Sequence, residues 1–127
     1  MNVRLMNANE KIAAIFAATL KLIHTNGFHG TPMSKIAQES DVAIGTIYHY
    51  FPSKDDLIFA LFKHCRSLLN DFVFNGIAAD FDYKASFFHV WRNFVKFYLE
   101  NETVFSFFEQ FFSSPYHEKN KAEIQEP

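Results

Sequence analysis

The chain of 127 residues is poor in several things at once, and each scarcity closes a class of function. Its one cysteine, Cys65, forms no internal disulfide and completes no paired-cysteine metal motif, so a reducing cytoplasm is the expected setting. Glycine and proline number four each, too few for a collagenous, low-complexity or linker-rich chain. No apolar run approaches the 18 residues of a membrane span, so no membrane partner is expected. The opening residues Met1 to Asn9 lack the apolar stretch and small-residue cleavage site of a signal peptide. Charge of either sign is not in large excess. The net charge is −2, and residues 1–60 balance five basic groups (Arg4, Lys11, Lys21, Lys35, Lys54) against five acidic ones (Glu10, Glu39, Asp41, Asp55, Asp56). A nucleic-acid function would therefore rest on where donors sit, not on bulk charge.

Aromatic rings are abundant. Phenylalanine occurs 17 times, with twelve of these between Phe72 and Phe112, so the two ends of the chain differ in character. Apolar periodicity is helical throughout, and no strand-like alternation occurs. Ile12, Ile15, Phe16, Leu20 and Ile23 line one face of a helix over 9–26, with Asn7 and Glu10 as a capping pair and Gly27 as its stop. Thr31-Pro32 opens a short second helix as cap and first residue, and Ser40-Asp41 is a turn. A third helix spans Ile44 to Tyr50 and ends before Pro52. Ser53 caps a long fourth helix running to about Asn75-Gly76. Two more follow, from about Tyr83 to Glu100 and from about Thr103 to Phe112. Ser113-Ser114-Pro115 breaks the last, and 116–127 reads as polar. The expected fold is all-α: a three-helix helix-turn-helix head, a long linking helix and an incomplete helical regulatory lobe.

Two short helices joined by a tight turn, over 31–51, are the informative object. Helices of this length need flanking helices to hold them, and a helix-turn-helix presents its second helix to the major groove of DNA. With Ile47 turned inward, Gly45, Thr46, Tyr48 and His49 fall on the outer side. Glycine inside a helix costs about 1 kcal/mol against alanine, which suggests a close approach to the backbone there.

The stretches Thr31-Pro32-Met33-Ser34-Lys35-Ile36-Ala37, Val42-Ala43-Ile44-Gly45-Thr46-Ile47-Tyr48-His49-Tyr50-Phe51 and Ser53-Lys54-Asp55-Asp56-Leu57 resemble the signature of TetR-type transcriptional regulators. The lead-in Asn26-Gly27-Phe28 resembles it too. The resemblance implies phosphate contacts from Thr31, Tyr48, His49 and Lys54, with Ser34 also on the DNA face, and base readout by Gly45 and Thr46. It implies a head over 1–53 and a linking helix with part of a ligand-binding and dimerisation domain over 54–127. Two residues depart from the pattern. Asp41 stands where the family usually has glycine, and Ala43 where a serine or threonine usually caps the recognition helix.

Beyond residue 75 the resemblance is architectural. The aromatic helices read first as core, because a helix apolar all round is a buried helix. Rings at helical spacing also line ligand cavities, and Phe87, Trp91, Phe94, Tyr98 and Phe108 are the candidates for a hydrophobic effector. The six histidines lie at no ligand spacing, so no metal, and no cofactor, is expected. Cys65 reads as a small core filler. With no nucleophile elbow, phosphate loop or paired carboxylates, the chain is expected not to be an enzyme. The implied function is a cytoplasmic repressor that binds a palindromic operator as a homodimer and is released by an effector. The rival reading is a helical small-molecule or protein-interaction module that keeps the head without gripping DNA. Regulators of this type are longer and dimerise through later helices, so these 127 residues are expected to be part of a longer regulator, self-associating through 83–112 or aggregating, and binding operator half-sites weakly.

Overall fold

The computed structural model describes residues 6–119. Its helices are α1 (Ala8–Asn26), α2 (Met33–Ser40), α3 (Ile44–Tyr50), α4 (Lys54–Phe74), α5 (Tyr83–Glu100) and α6 (Glu102–Phe112), followed by one helical turn over 115–119. Among the described residues there is no strand, and the fold is all-α.

Local chemistry sets most of the boundaries. The Asn7 side chain accepts from the Glu10 backbone N–H (2.9 Å), capping α1, and the Gly27 N–H closes its other end on the Ile23 carbonyl at a positive φ of 74°. Ser53 and Asp56 cap α4 reciprocally, each side chain taking the other's backbone N–H at 3.1 Å. Such a box satisfies two amide donors that the first helical turn otherwise leaves unpaired. Asp82 caps α5 on Ala85 N–H (2.7 Å).

One boundary differs from the sequence expectation. Thr31 does not cap α2. The cap position is Pro32, and Thr31 is fully buried with its hydroxyl donating to the Gly27 carbonyl (2.8 Å). The physical reason is the tight α1–α2 connection. It brings Gly30 so close to the Asn26 carbonyl that a Cβ there would lie 2.4 Å away, and it turns Thr31 inward against the end of α1.

The core is continuous. Ile15, Ile23, Ile36, Ile47, Leu57 and Leu61 of the first four helices are buried together with Phe107 and Phe111 of α6. α6 lies against α1 and α4: Phe62 stacks on Phe111 with ring centroids 4.2 Å apart, and Gln110 donates to the Ile23 carbonyl (3.0 Å), an acceptor at the end of α1. α5 packs mainly against α4. His89 Nε2 lies 2.5 Å from the Asn75 carbonyl and 3.0 Å from Asn93 Nδ2, and Asn93 donates to the Val73 carbonyl (3.1 Å).

The expectation that both aromatic helices are core fails for α5. Phe97 is its one buried residue, while Phe87, Phe88, Trp91, Tyr98 and Leu99 are exposed. α5 packs mainly on α4 and meets α6 around Phe105, so much of its all-round apolar surface is left uncovered. The segment beginning at 116 differs as well. Tyr116 is half-buried and packs against Phe28, Phe59 and Phe111. The expectation for 120–127 lies outside the described residues.

Candidate nucleic-acid interface

The α2–α3 turn is built by Ser40 and Asp41. Ser40 Oγ accepts from the Val42 N–H (3.3 Å), and Asp41 adopts the left-handed conformation at φ 57°. Aspartate is one of the few side chains to visit that region readily, because its short polar group bonds locally. Asp41 therefore serves where glycine would be easiest. Ala43 caps α3 with no side-chain hydrogen bond, leaving donors of the first turn without a side-chain acceptor.

α3 is anchored from beneath by Ile47, fully buried, and at its end by Phe51. The ring of Phe51 lies 5.7 Å from Phe16 of α1. Its opposite surface carries Gly45, Tyr48 (45% exposed) and His49, with Thr46 half-buried beside them. A Cβ added to Gly45 would meet nothing within 4 Å, so no packing within the chain calls for glycine at this helical position. Ser34 is exposed on α2 and shares a shallow depression of about 550 Å³ with Gln38, Asp41, Ala43 and Ile44. Gln38 and the exposed Ile44 were not among the sequence candidates. Helical spacing from Ser34 points to Gln38, one turn on.

The remaining two predicted contacts stand apart from this surface. Thr31 is buried, and its hydroxyl already has an acceptor. Lys54 is half-buried, and its ammonium donates to the Phe28 carbonyl, tying the start of α4 to the α1–α2 turn. Burial holds its pKa below the usual lysine value, against the opposing pull of Asp55.

Residues 15–61 match the family described as bacterial regulatory proteins, tetR family. These residues thus form a helix-turn-helix head of the TetR type. A helix-turn-helix-type transcriptional regulator of Haemophilus influenzae is 37% identical over 105 residues, 80% of this chain and 54% of that protein. The fatty acid metabolism regulator protein of Bacillus subtilis is 45% identical over 53 residues, 42% of this chain and 27% of that one. A crystal structure of a TetR-family transcriptional regulator from Haemophilus influenzae shares the fold with a TM-score of 0.77. It is 30% identical, over 84% of this chain and 58% of that one. The chain thus spans little more than half the length of these Haemophilus relatives.

The aromatic lobe carries a second candidate site. An open groove of about 910 Å³ runs between α4, α5 and α6, its apolar wall including Phe62, Phe94, Tyr98, Phe105, Phe108 and Phe112. Phe94, Tyr98 and Phe108 of the sequence candidates meet there. Phe87 and Trp91 do not: Trp91 lines a separate depression with Phe81, Phe88 and His89, and Phe87 packs edge-on against Phe88. Phe62 and Arg66 of α4 were missed, although they stand one helical turn apart, with the Arg66 guanidinium 5.6 Å above the Phe62 ring. Cys65 is buried, and desolvation pushes its thiol up to about 12, as suits a core filler. Among the described residues no three His, Cys, Asp or Glu side chains converge as metal ligands, and no helix is long and apolar enough to cross a membrane.

Proposed function

We propose that the chain is the DNA-binding part of a cytoplasmic transcriptional repressor, with a head over 1–53 and a linking helix with part of an effector and dimerisation lobe over 54–127. The observation that carries this reading is Gly45. A glycine in the first turn of a helix, on an outward face with open space where a side chain would stand, has its explanation in a partner that approaches the backbone. The major groove is such a partner. Thr46, with a hydroxyl and a methyl, reads a base edge. Tyr48, His49 and Ser34 hold phosphates from either side, and Lys54 follows at the amino end of α4. Thr31 braces the head from inside. The operator is palindromic, read by a homodimer, and an apolar effector occupies the groove walled by Phe94, Tyr98 and Phe108. The TetR-type head, and its likeness to a helix-turn-helix-type transcriptional regulator, support regulation rather than catalysis.

Binding to duplex DNA followed across a salt series tests the proposal. Affinity is expected to fall steeply as salt rises, because phosphate contacts release counterions; binding indifferent to salt, or absent, refutes it. Gly45→Ala separates the two roles of the site. It is expected to stabilise the fold by about 0.5–1 kcal/mol while weakening operator binding, and a variant that gains stability and keeps its affinity removes Gly45 from the interface.

A further inference from the structure

The turn after α6 reaches back across the molecule to the corner where α3 hands over to α4. The Tyr116 ring sits 5.2 Å from Phe28 of the α1–α2 turn, 5.8 Å from Phe59 of α4 and 6.4 Å from Phe111 of α6. Its hydroxyl lies near Asp55, and Lys119 Nζ lies 3.1 Å from the same carboxylate. Asp56 is committed to the Ser53 cap and Lys54 to the Phe28 carbonyl. The first turn of α4 therefore carries Lys54 beside two carboxylates, one satisfied within its own helix and the other from 64 residues away.

The geometry points to a clasp: the turn over 115–119 positions the amino end of α4 against the α1–α2 turn and, through Lys119, offsets Asp55, which would otherwise add an unpaired negative charge beside the DNA-binding head. Tyr116 and Lys119 are thus positioning residues for the head, although they lie in the lobe. The pairing also holds Asp55 below the usual carboxylate range, chiefly through Lys119, while burial and then Asp55 push the Tyr116 phenol up to about 12. The clasp rests on the DNA-binding reading for its consequence but not for its geometry.

The full chain is compared with Lys119→Gln, Asp55→Asn, the double variant and Tyr116→Phe, using a random-sequence DNA duplex and amide hydrogen exchange. Lys119→Gln is expected to weaken binding at low salt by about two- to fivefold, the range an exposed ion pair supplies. It is expected to have no further effect once Asp55 is Asn. Tyr116→Phe and Lys119→Gln are both expected to speed exchange at the Thr31 and Leu57 amides, which close the α1–α2 turn and the first turn of α4. Equal losses with and without Asp55 overturn the clasp, since Lys119 would then act on phosphate itself. Unchanged exchange in Tyr116→Phe and Lys119→Gln overturns it as well. If the wild type binds no duplex while exchange still responds, the clasp stands and the DNA-binding reading falls.

Discussion

α5 and α6 are built from nearly the same material and meet opposite fates. α5 presents Phe87, Phe88, Trp91, Tyr98 and Leu99 (74% exposed) to the outside, whereas α6 buries Val104, Phe107, Phe108 and Phe111. The difference is one of neighbours rather than of hydrophobicity. α6 packs on α1 and, through Phe108 and Phe111 against Phe62, on α4, and its 104, 107, 108 and 111 positions, successive steps along one helical face, are buried. α5 leans on α4 through Asn93, His89 and Phe97 and has nothing of comparable extent behind it. Apolar composition thus states what a helix can bury, and the surrounding elements decide what it does bury.

The largest effect that would break this comparison comes from α6. Phe107→Ala is expected to destabilise the chain by about 3–5 kcal/mol, the usual loss for emptying a buried aromatic site. A denaturant titration measures it, and a change below about 1 kcal/mol would show that α6 is not core. A smaller effect sharpens the account of how α5 is held. Asn93→Ala removes the donor to the Val73 carbonyl and is expected to cost about 0.5–1.5 kcal/mol. Heat or denaturant unfolding indistinguishable from wild type would leave His89 and packing as the anchor. The smallest effect belongs to the outer face of α5. Phe87→Ser is expected to shift stability by no more than about 0.5 kcal/mol. A loss comparable to that of Phe107→Ala would mean that the outer face of α5 is covered in solution.

The same contrast explains what was legible in the sequence. Helix ends were, because caps act over three or four residues: Asn7 with Glu10, Ser53 and Gly27 each do locally what their residue types imply. The outward and inward sides of α3 were legible too, since Ile47 and Gly45 differ in kind. Long-range placement was not. The burial of Thr31, the Lys54 bond to the Phe28 carbonyl and the return of Tyr116 across α4 all depend on elements brought together by folding. No short-range pattern encodes a partner 26 or 64 positions away. Ala43 falls between: its missing cap was visible as a residue type, and the structure supplies no substitute side chain.

The exposure of Trp91 has an optical consequence. It is the sole tryptophan of the chain, 58% exposed on the uncovered side of α5. Its emission is expected at the long wavelengths of a water-facing indole, and anything that settles over α5 would move that emission to the blue. A second copy of the chain would make the shift depend on protein concentration, and a small molecule would make it depend on dose. The protein thus carries its own gauge of whether this face is open or covered, with Trp91→Phe as the dark control and no added label.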